Sequence, residues 1–276
     1  SGLSRVPADE RDAMVASTFG TGQILAAAIG LGCREVVIGF GGSATTDGGA
    51  GLLEALGARI RDASGTDVAA GGGGLGKVAS IDLTDLSEVL AEVHIVVASD
   101  VTNPLLGEHG AAAVYAPQKG ASEGQVDELD RNLRRYADVM EGTIGRPLRY
   151  EPGSGAAGGA IFGLLAIADR FASLEVRPGV EVAMELTGFD EAVTSADLVL
   201  TGEGKVDGQT SFGKTAMGVA ERAREAGARS ICFGGGVMPE GAEFMHSIGV
   251  VTMPVTERPM SLDEVVAAGT DPISRA

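Results

Sequence analysis

Apolar and polar positions along the chain fall into two regimes. From about residue 186 they alternate regularly: ADLVLTG reads as a strand, GKTAMGVAERAREAG as a helix, RSICFGG as a strand, EGAEFMHSIG as a helix, GVVTMPV as a strand and SLDEVVAAG as a helix. Runs of this kind build parallel sheets through right-handed crossovers. Before residue 186 the pattern is less even. Helices are predicted over 8 to 14 and 20 to 31, and the second feeds a β-branched strand at Val36, Val37 and Ile38. A glycine-rich turn over 39 to 43 follows, then a helix over 48 to 57 carrying Leu52, Leu53 and Leu56. ARIRD and the glycine-rich stretch over 71 to 76 read as a hairpin or loop excursion, and HIVVASD as a buried-type strand ending in Asp100. Ser122 opens the longest helix, Gln125 completes a capping box with it, and Leu129, Leu133 and Tyr136 form its apolar stripe. The prediction is an α/β protein of two domains with mainly parallel sheets. The first covers 1 to 185 and the second, Rossmann-like, covers 186 to 276, with a soft boundary that no Pro-rich or charged linker marks.

Composition narrows the packing. A chain of 276 residues with 44% hydrophobic content has ample material for a core. With 43 Gly, no Trp, three Tyr and eight Phe, that core must rest on aliphatic side chains and close backbone approaches. The net charge of −17 repels nucleic acid and anionic lipid, so neither is expected as a partner. It also means that anionic ligands need a local positive pocket, which directs attention to lysines in glycine-rich loops. Cys33 and Cys232 read as small buried residues at strand edges, which fits a reducing compartment. No signal pattern or membrane-length apolar run is evident, and the expected location is the cytoplasm. The chain begins with Ser, as a processed or shortened piece would.

Four loops carry the candidate chemistry. In the first, Gly41, Gly42, Ser43, Thr45 and Asp47 lie between a strand and a helix, where glycines allow close approach and helix amides face an anion. Asp47 beside such a cradle suits a metal-bridging or acid-base role; the plainer reading is a helix cap. Asp100 and Asn103 follow a strand end, where open α/β sheets gather ligands, though both also suit a turn. Lys119 lies in a Pro-Gln-Lys-Gly loop, either solvated or aimed at an anion. The fourth loop, TGEGKVD followed by GQTSFGKT, carries Glu203, Lys205, Asp207 and Lys214. GQTSFGKT matches the P-loop spacing, but EGKVD separates it from a strand expected to end near Thr201, which argues against P-loop topology. GGGGLGK reads as a flexible turn and GSGAAGG, over 153 to 159, as tight helix packing. Two lysine-bearing loops with several carboxylates suit phosphoryl transfer, in which a protein positions substrates and neutralises developing charge. A nucleotide- or acid-binding module without turnover is the alternative from chemistry alone.

The blocks GFGGSATTDGGAGLLEALGA, SDVTNPLLGEHGAAAVYAPQKGAS, GSGAAGGAIFGLLA and LVLTGEGKVDGQTSFGKTAMGVAERA resemble, in that order, those of the bacterial type 1 glycerate kinase family. The resemblance implies ATP-dependent phosphorylation of D-glycerate, with 2-phosphoglycerate the favoured product, ATP and Mg²⁺ as cofactors, and two α/β domains. Carried over position by position, it favours Asp47, Asp100, Asp207 and Lys119 as catalytic, with Asp100 and Asp207 also as metal ligands. It favours Gly41, Gly42, Ser43, Thr45, Asn103, Glu203 and Lys214 for substrate or ATP. Lys205 and Thr46 stand where relatives commonly have Arg and Asn. Family members also begin with a further strand, a Ser- and Lys-bearing loop and an Asp-Gly-Gly-Glu-Gly stretch, and end with another helix. The resemblance therefore implies that residues 1 to 185 are an inserted middle domain and that the C-terminal sheet is short of strands. The alternatives kept open are a kinase fragment inactive on its own and a non-catalytic sugar-acid or nucleotide binder.

Overall fold

The computed structural model describes residues 2–207, 214–256, 260 and 262–269. The chain is a mixed α/β protein with parallel sheets, and by its internal contacts it divides into two units, Ser1–Arg177 and Pro178–Ala276. Residue 185, where the sequence pattern changes, lies within a helix of the second unit.

In the first unit, α1 (Phe19–Gly30) leads into β1 (Glu35–Gly39), followed by α2 (Ala50–Ala55), β2 (Arg59–Arg61), β3 (Ser80–Asp82) and β4 (His94–Ala98). Then come α3 (Ala111–Tyr115), α4 (Glu123–Ile144), α5 (Ala156–Ala166) and β5 (Ser173–Arg177). β4 is the central strand of a three-stranded sheet, parallel to β1 on one side and to β5 on the other, with Val36 opposite Ile95 and Gly39 opposite Ala98. Its Ile95 and Val97 are fully buried, as expected of a strand covered on the core side. β2 and β3 pair antiparallel, with Ile60 opposite Ile81, and the glycine-rich stretch over 71 to 76 lies in the connection between them.

The capping box forms as the sequence indicates: the Ser122 hydroxyl accepts from the Gln125 amide, and the Gln125 side chain accepts from the Ser122 amide. The α4 stripe of Leu129, Leu133 and Tyr136 is fully buried, and burial of each leucine stabilises by about 1.5–3 kcal/mol. The small residues of α5 serve close packing. A Cβ added at Gly163 would come within 3.0 Å of the Gly49 Cα, so only glycine lets α5 lie this near the start of α2.

The second unit contains α6 (Gly179–Leu186), α7 (Phe189–Val193), β6 (Leu198–Val206), α8 (Lys214–Glu225), β7 (Arg229–Val237), α9 (Pro239–Ser247), β8 (Val250–Pro254) and α10 (Leu262–Ala267). β6, β7 and β8 form a parallel sheet in that order. Val206, Ala216, Ala220, Cys232, Met245 and Val250 make a small core cluster, while Leu198, Leu200 and Val251 are exposed.

Four expectations need correction. The helix over 8 to 14 is a single 3₁₀ turn, Ala8–Glu10; Asp12 Oδ1 instead accepts from the Met14 amide and turns the chain. Cys33 is exposed, and only Cys232 behaves as a buried apolar residue. The strand expected to stop near Thr201 continues to Val206, because Glu203 and Lys205 pair with Gly234 and Gly236 on β7. The glycine-rich 71–76 segment is a packed turn: Gly74 and Leu75 are buried, and Asn132 of α4 donates to the Gly72 and Gly73 carbonyls.

Candidate active site

The site of the first unit grows from the carboxyl ends of β1 and β4, which lie side by side because the two strands are parallel and in register. The Phe40 amide still bonds to the Ala98 carbonyl, at 3.3 Å, before the chain leaves the sheet. Gly42 adopts a left-handed conformation (φ 60°), which reverses the loop with no steric cost. From outside, the Leu3 amide donates to the Gly42 carbonyl at 2.6 Å, and Gly2 and Ser43 form an antiparallel bridge. The loop is thus held on both flanks before it reaches Thr45.

Lys119 closes it from within. The 3₁₀ turn Pro117–Lys119 follows α3 and sends this side chain inward, leaving it 2% exposed. Its Nζ donates to the Ser43 hydroxyl at 3.1 Å and to the Thr45 carbonyl at 2.5 Å. Desolvation pushes the Lys119 ammonium down to about 8, and the nearby Asp47 charge works in the opposite direction. An ammonium has three donors, so two are committed to the loop.

Two pockets flank this loop. A pocket of about 110 Å³ is lined by Gly41, Ser43, Tyr115, Gln118 and Lys119, and one of about 240 Å³ by Thr18, Thr21, Thr45 and Ala160. Ala157 lines both, with φ 53°, an alanine in the left-handed region at the kinked start of α5. The Thr45 hydroxyl is buried without a hydrogen-bond partner. A larger pocket of about 760 Å³ near Arg146 and Arg170 contains no residue that the sequence singled out.

Asp47 sits behind the loop, wholly buried and lining neither pocket. Its Oδ2 accepts from the Thr18 amide (2.7 Å), the Thr18 hydroxyl (2.9 Å) and the Gly51 amide (3.4 Å), and its Oδ1 from the Gly49 amide (3.2 Å). Burial raises its pKa and these donors oppose the rise. This is the geometry of a carboxylate capping the start of α2 and tying it to the start of α1. Glu54 is pushed up to about 7 by partial burial and by the charges of Asp47 and Asp67.

Asp100 is exposed just past β4, one residue before Val101, which lines the smaller pocket. The Asn103 side chain is committed to its own loop: Nδ2 donates to the His109 carbonyl at 2.9 Å, and Oδ1 accepts from the Tyr115 hydroxyl at 2.8 Å. Sequence reasoning missed Tyr115, Thr18 and Ala157. The first two carried no local motif. Ala157 lay within a stretch read only as packing.

In the second unit, Glu203 Oε1 accepts from the Ala216 amide at 3.4 Å and so caps α8. Asp207 pairs with Lys205 at 2.8 Å. The 208–213 part of the P-loop-like stretch lies outside the described residues, as does the Lys214 side chain. Among the described residues no three His, Cys, Asp or Glu side chains gather to hold a metal. Asp100 and Asp207, the proposed metal pair, belong to different units. No helix among the described residues is long and apolar enough to cross a membrane.

The model of the Glycerate kinase family matches residues 1–276. The chain is 41% identical over 277 residues to a glycerate kinase of Halalkalibacterium halodurans, covering 100% of this chain and 72% of that one. It is 40% identical over 277 residues to the glycerate 2-kinase of Escherichia coli K12, covering 100% of this chain and 71% of that one. A crystal structure from Salmonella typhimurium LT2 described as glycerate kinase 2 superposes with a TM-score of 0.78 at 39% identity, over 99% of this chain and 70% of that one.

Proposed function

The chain belongs to the glycerate kinase family, and on that premise we propose that it transfers the γ-phosphoryl group of ATP to D-glycerate in the cytoplasm, giving 2-phosphoglycerate. The observation that supports this reading most is the buried Lys119 ammonium fixed against Ser43 and Thr45 at the carboxyl edge of the sheet. It gives a strongly acidic protein a positive point where an anionic substrate can settle. The 41–45 loop, with its left-handed Gly42, brings backbone close to that point.

Asp100 is the proposed acceptor of the glycerate hydroxyl proton, being an exposed carboxylate next in the chain to Val101 of the Lys119 pocket. Asp47 is assigned to holding α1 and α2 in place, and through its charge to keeping Lys119 protonated. Asn103 holds Tyr115 at the pocket wall. Glu203, Asp207 and Lys214 of the second unit are the residues proposed for ATP. Mg²⁺ would supply charge neutralisation on the phosphates, and because it takes most of its ligands from phosphate and water, one carboxylate of the second unit such as Asp207 would suffice to hold it.

An ADP-release assay coupled to NADH oxidation, run on the purified chain with ATP, Mg²⁺ and D-glycerate, tests the proposal. Glycerate-dependent ADP release is the expected result. Absence of turnover together with absence of glycerate binding would overturn it.

A further inference from the structure

We propose that Lys119 recognises the carboxylate of the acceptor substrate and not a phosphate of ATP, an assignment that rests on the glycerate kinase reading of this site. Three observations carry it. The first is size. The pocket at Lys119 is about 110 Å³, against roughly 300–1,000 Å³ for sites that enclose larger organic ligands. It admits one end of a three-carbon acid but cannot enclose a whole nucleotide.

The second is charge. Lys119 is the single charged side chain among the pocket's lining residues, which otherwise are Phe40, Gly41, Gly42, Ser43, Val101, Tyr115, Gln118 and Ala157. One ammonium balances one carboxylate. A triphosphate terminus carries more charge and arrives with Mg²⁺, whose protein ligands are carboxylates, and none lines this pocket.

The third is donor accounting. Two of the three Nζ donors are spent on Ser43 and Thr45, which fix the ammonium in position and leave one for a single short contact. That arrangement suits one carboxylate oxygen. Recognition of phosphate more commonly adds a bidentate guanidinium, and no arginine lines this pocket. The lowered proton affinity of Lys119 agrees with this assignment: the ammonium is desolvated before the substrate arrives, and a carboxylate entering the pocket adds to the favourable field that Asp47 already exerts on it.

Calorimetry on the full chain separates the possibilities, with D-glycerate, D-glyceramide and a non-hydrolysable ATP analogue as titrants. D-Glyceramide keeps both hydroxyls and removes the charge. The wild type is expected to bind D-glycerate at least tenfold more tightly than D-glyceramide. Lys119→Met is expected to weaken D-glycerate ten- to a hundredfold and to leave the ATP analogue within twofold of wild type. Equal affinity for acid and amide, or a parallel loss of the ATP analogue in Lys119→Met, overturns the assignment. Should Lys119→Met fail to fold, the wild-type comparison of acid and amide still decides. Binding of the ATP analogue and of both acid and amide alike would refute the Lys119 assignment alone, whereas a wild-type chain that binds none of the three titrants refutes the underlying kinase reading with it.

Discussion

Replacing Asp47 with Asn separates a capping carboxylate from a catalytic base. The carboxylate accepts four hydrogen bonds, three on Oδ2 and one on Oδ1. Asn keeps one acceptor oxygen. Its best orientation places that oxygen toward Thr18 and Gly51 and turns an NH₂ group against the Gly49 amide, so one bond becomes a donor facing a donor. The three that remain weaken from charge-assisted to neutral. Together these losses come to about 4 kcal/mol, and removing a buried charge returns about 2 kcal/mol, for a net cost of about 2 kcal/mol. In a unit of this size that lowers Tm by about 4–8 °C. A second effect reaches the site. Asp47 favours the charged form of Lys119, so its neutralisation moves the Lys119 pKa further below 8. Glycerate affinity then begins to fall at a lower pH than in the wild type, where it declines as pH rises through about 8 because the deprotonated amine no longer attracts the carboxylate. Thermal denaturation and glycerate KM between pH 6 and 9.5 read both effects. A hundredfold fall in kcat with unchanged Tm and an unmoved alkaline limb would show Asp47 to be the base and refute the cap.

Three further substitutions probe the surroundings. Gly158→Ala forces a methyl onto the Thr45 carbonyl, the same oxygen that receives Lys119, in a backbone conformation with φ 69°; we expect a loss of at least 3 kcal/mol in urea unfolding, and a stable variant would show the loop to be less fixed than described. Tyr136→Phe removes a buried hydroxyl that has no partner and should stabilise by about 1 kcal/mol, whereas destabilisation would reveal a bond to that hydroxyl. Glu54 holds its proton more tightly folded, at about 7, than unfolded, near 4.5. The stability it contributes is present below pH 4.5 and lost as pH rises through 7. Glu54→Gln should therefore match the wild type at pH 4.5 and exceed it at pH 8, by about 1 kcal/mol after allowing for the side chain's partial exposure; equal stabilities at pH 8 would contradict the raised pKa.

Local signals were legible where one segment decides its own structure. Ser122 and Gln125 cap a helix with each other, and the α4 stripe needs only a helical period to place Leu129, Leu133 and Tyr136 inside. The parallel alternation after residue 186 followed from apolar runs set at crossover spacing. What stayed hidden depends on distant partners. Strand β6 runs through Gly202 and Gly204, which look like loop, because β7 offers glycines opposite Glu203 and Lys205. Asp47 reads as a possible base until Thr18, 29 positions earlier, is seen to donate to it twice. Lys119 reads as solvated or anion-directed, and its burial depends on a loop more than 70 residues away. Tyr115 carried no motif of its own and Ala157 sits in a stretch that reads as packing; their place at the pocket follows from the Asn103 bond and from the left-handed start of α5.

A crystal structure of the chain with D-glycerate and a non-hydrolysable ATP analogue tests the central claim most directly. The account predicts a glycerate carboxylate oxygen within hydrogen-bonding distance of Lys119 Nζ, beside Ser43 and Tyr115. Glycerate bound elsewhere, with Lys119 still bonded only to Ser43 and Thr45, would contradict it.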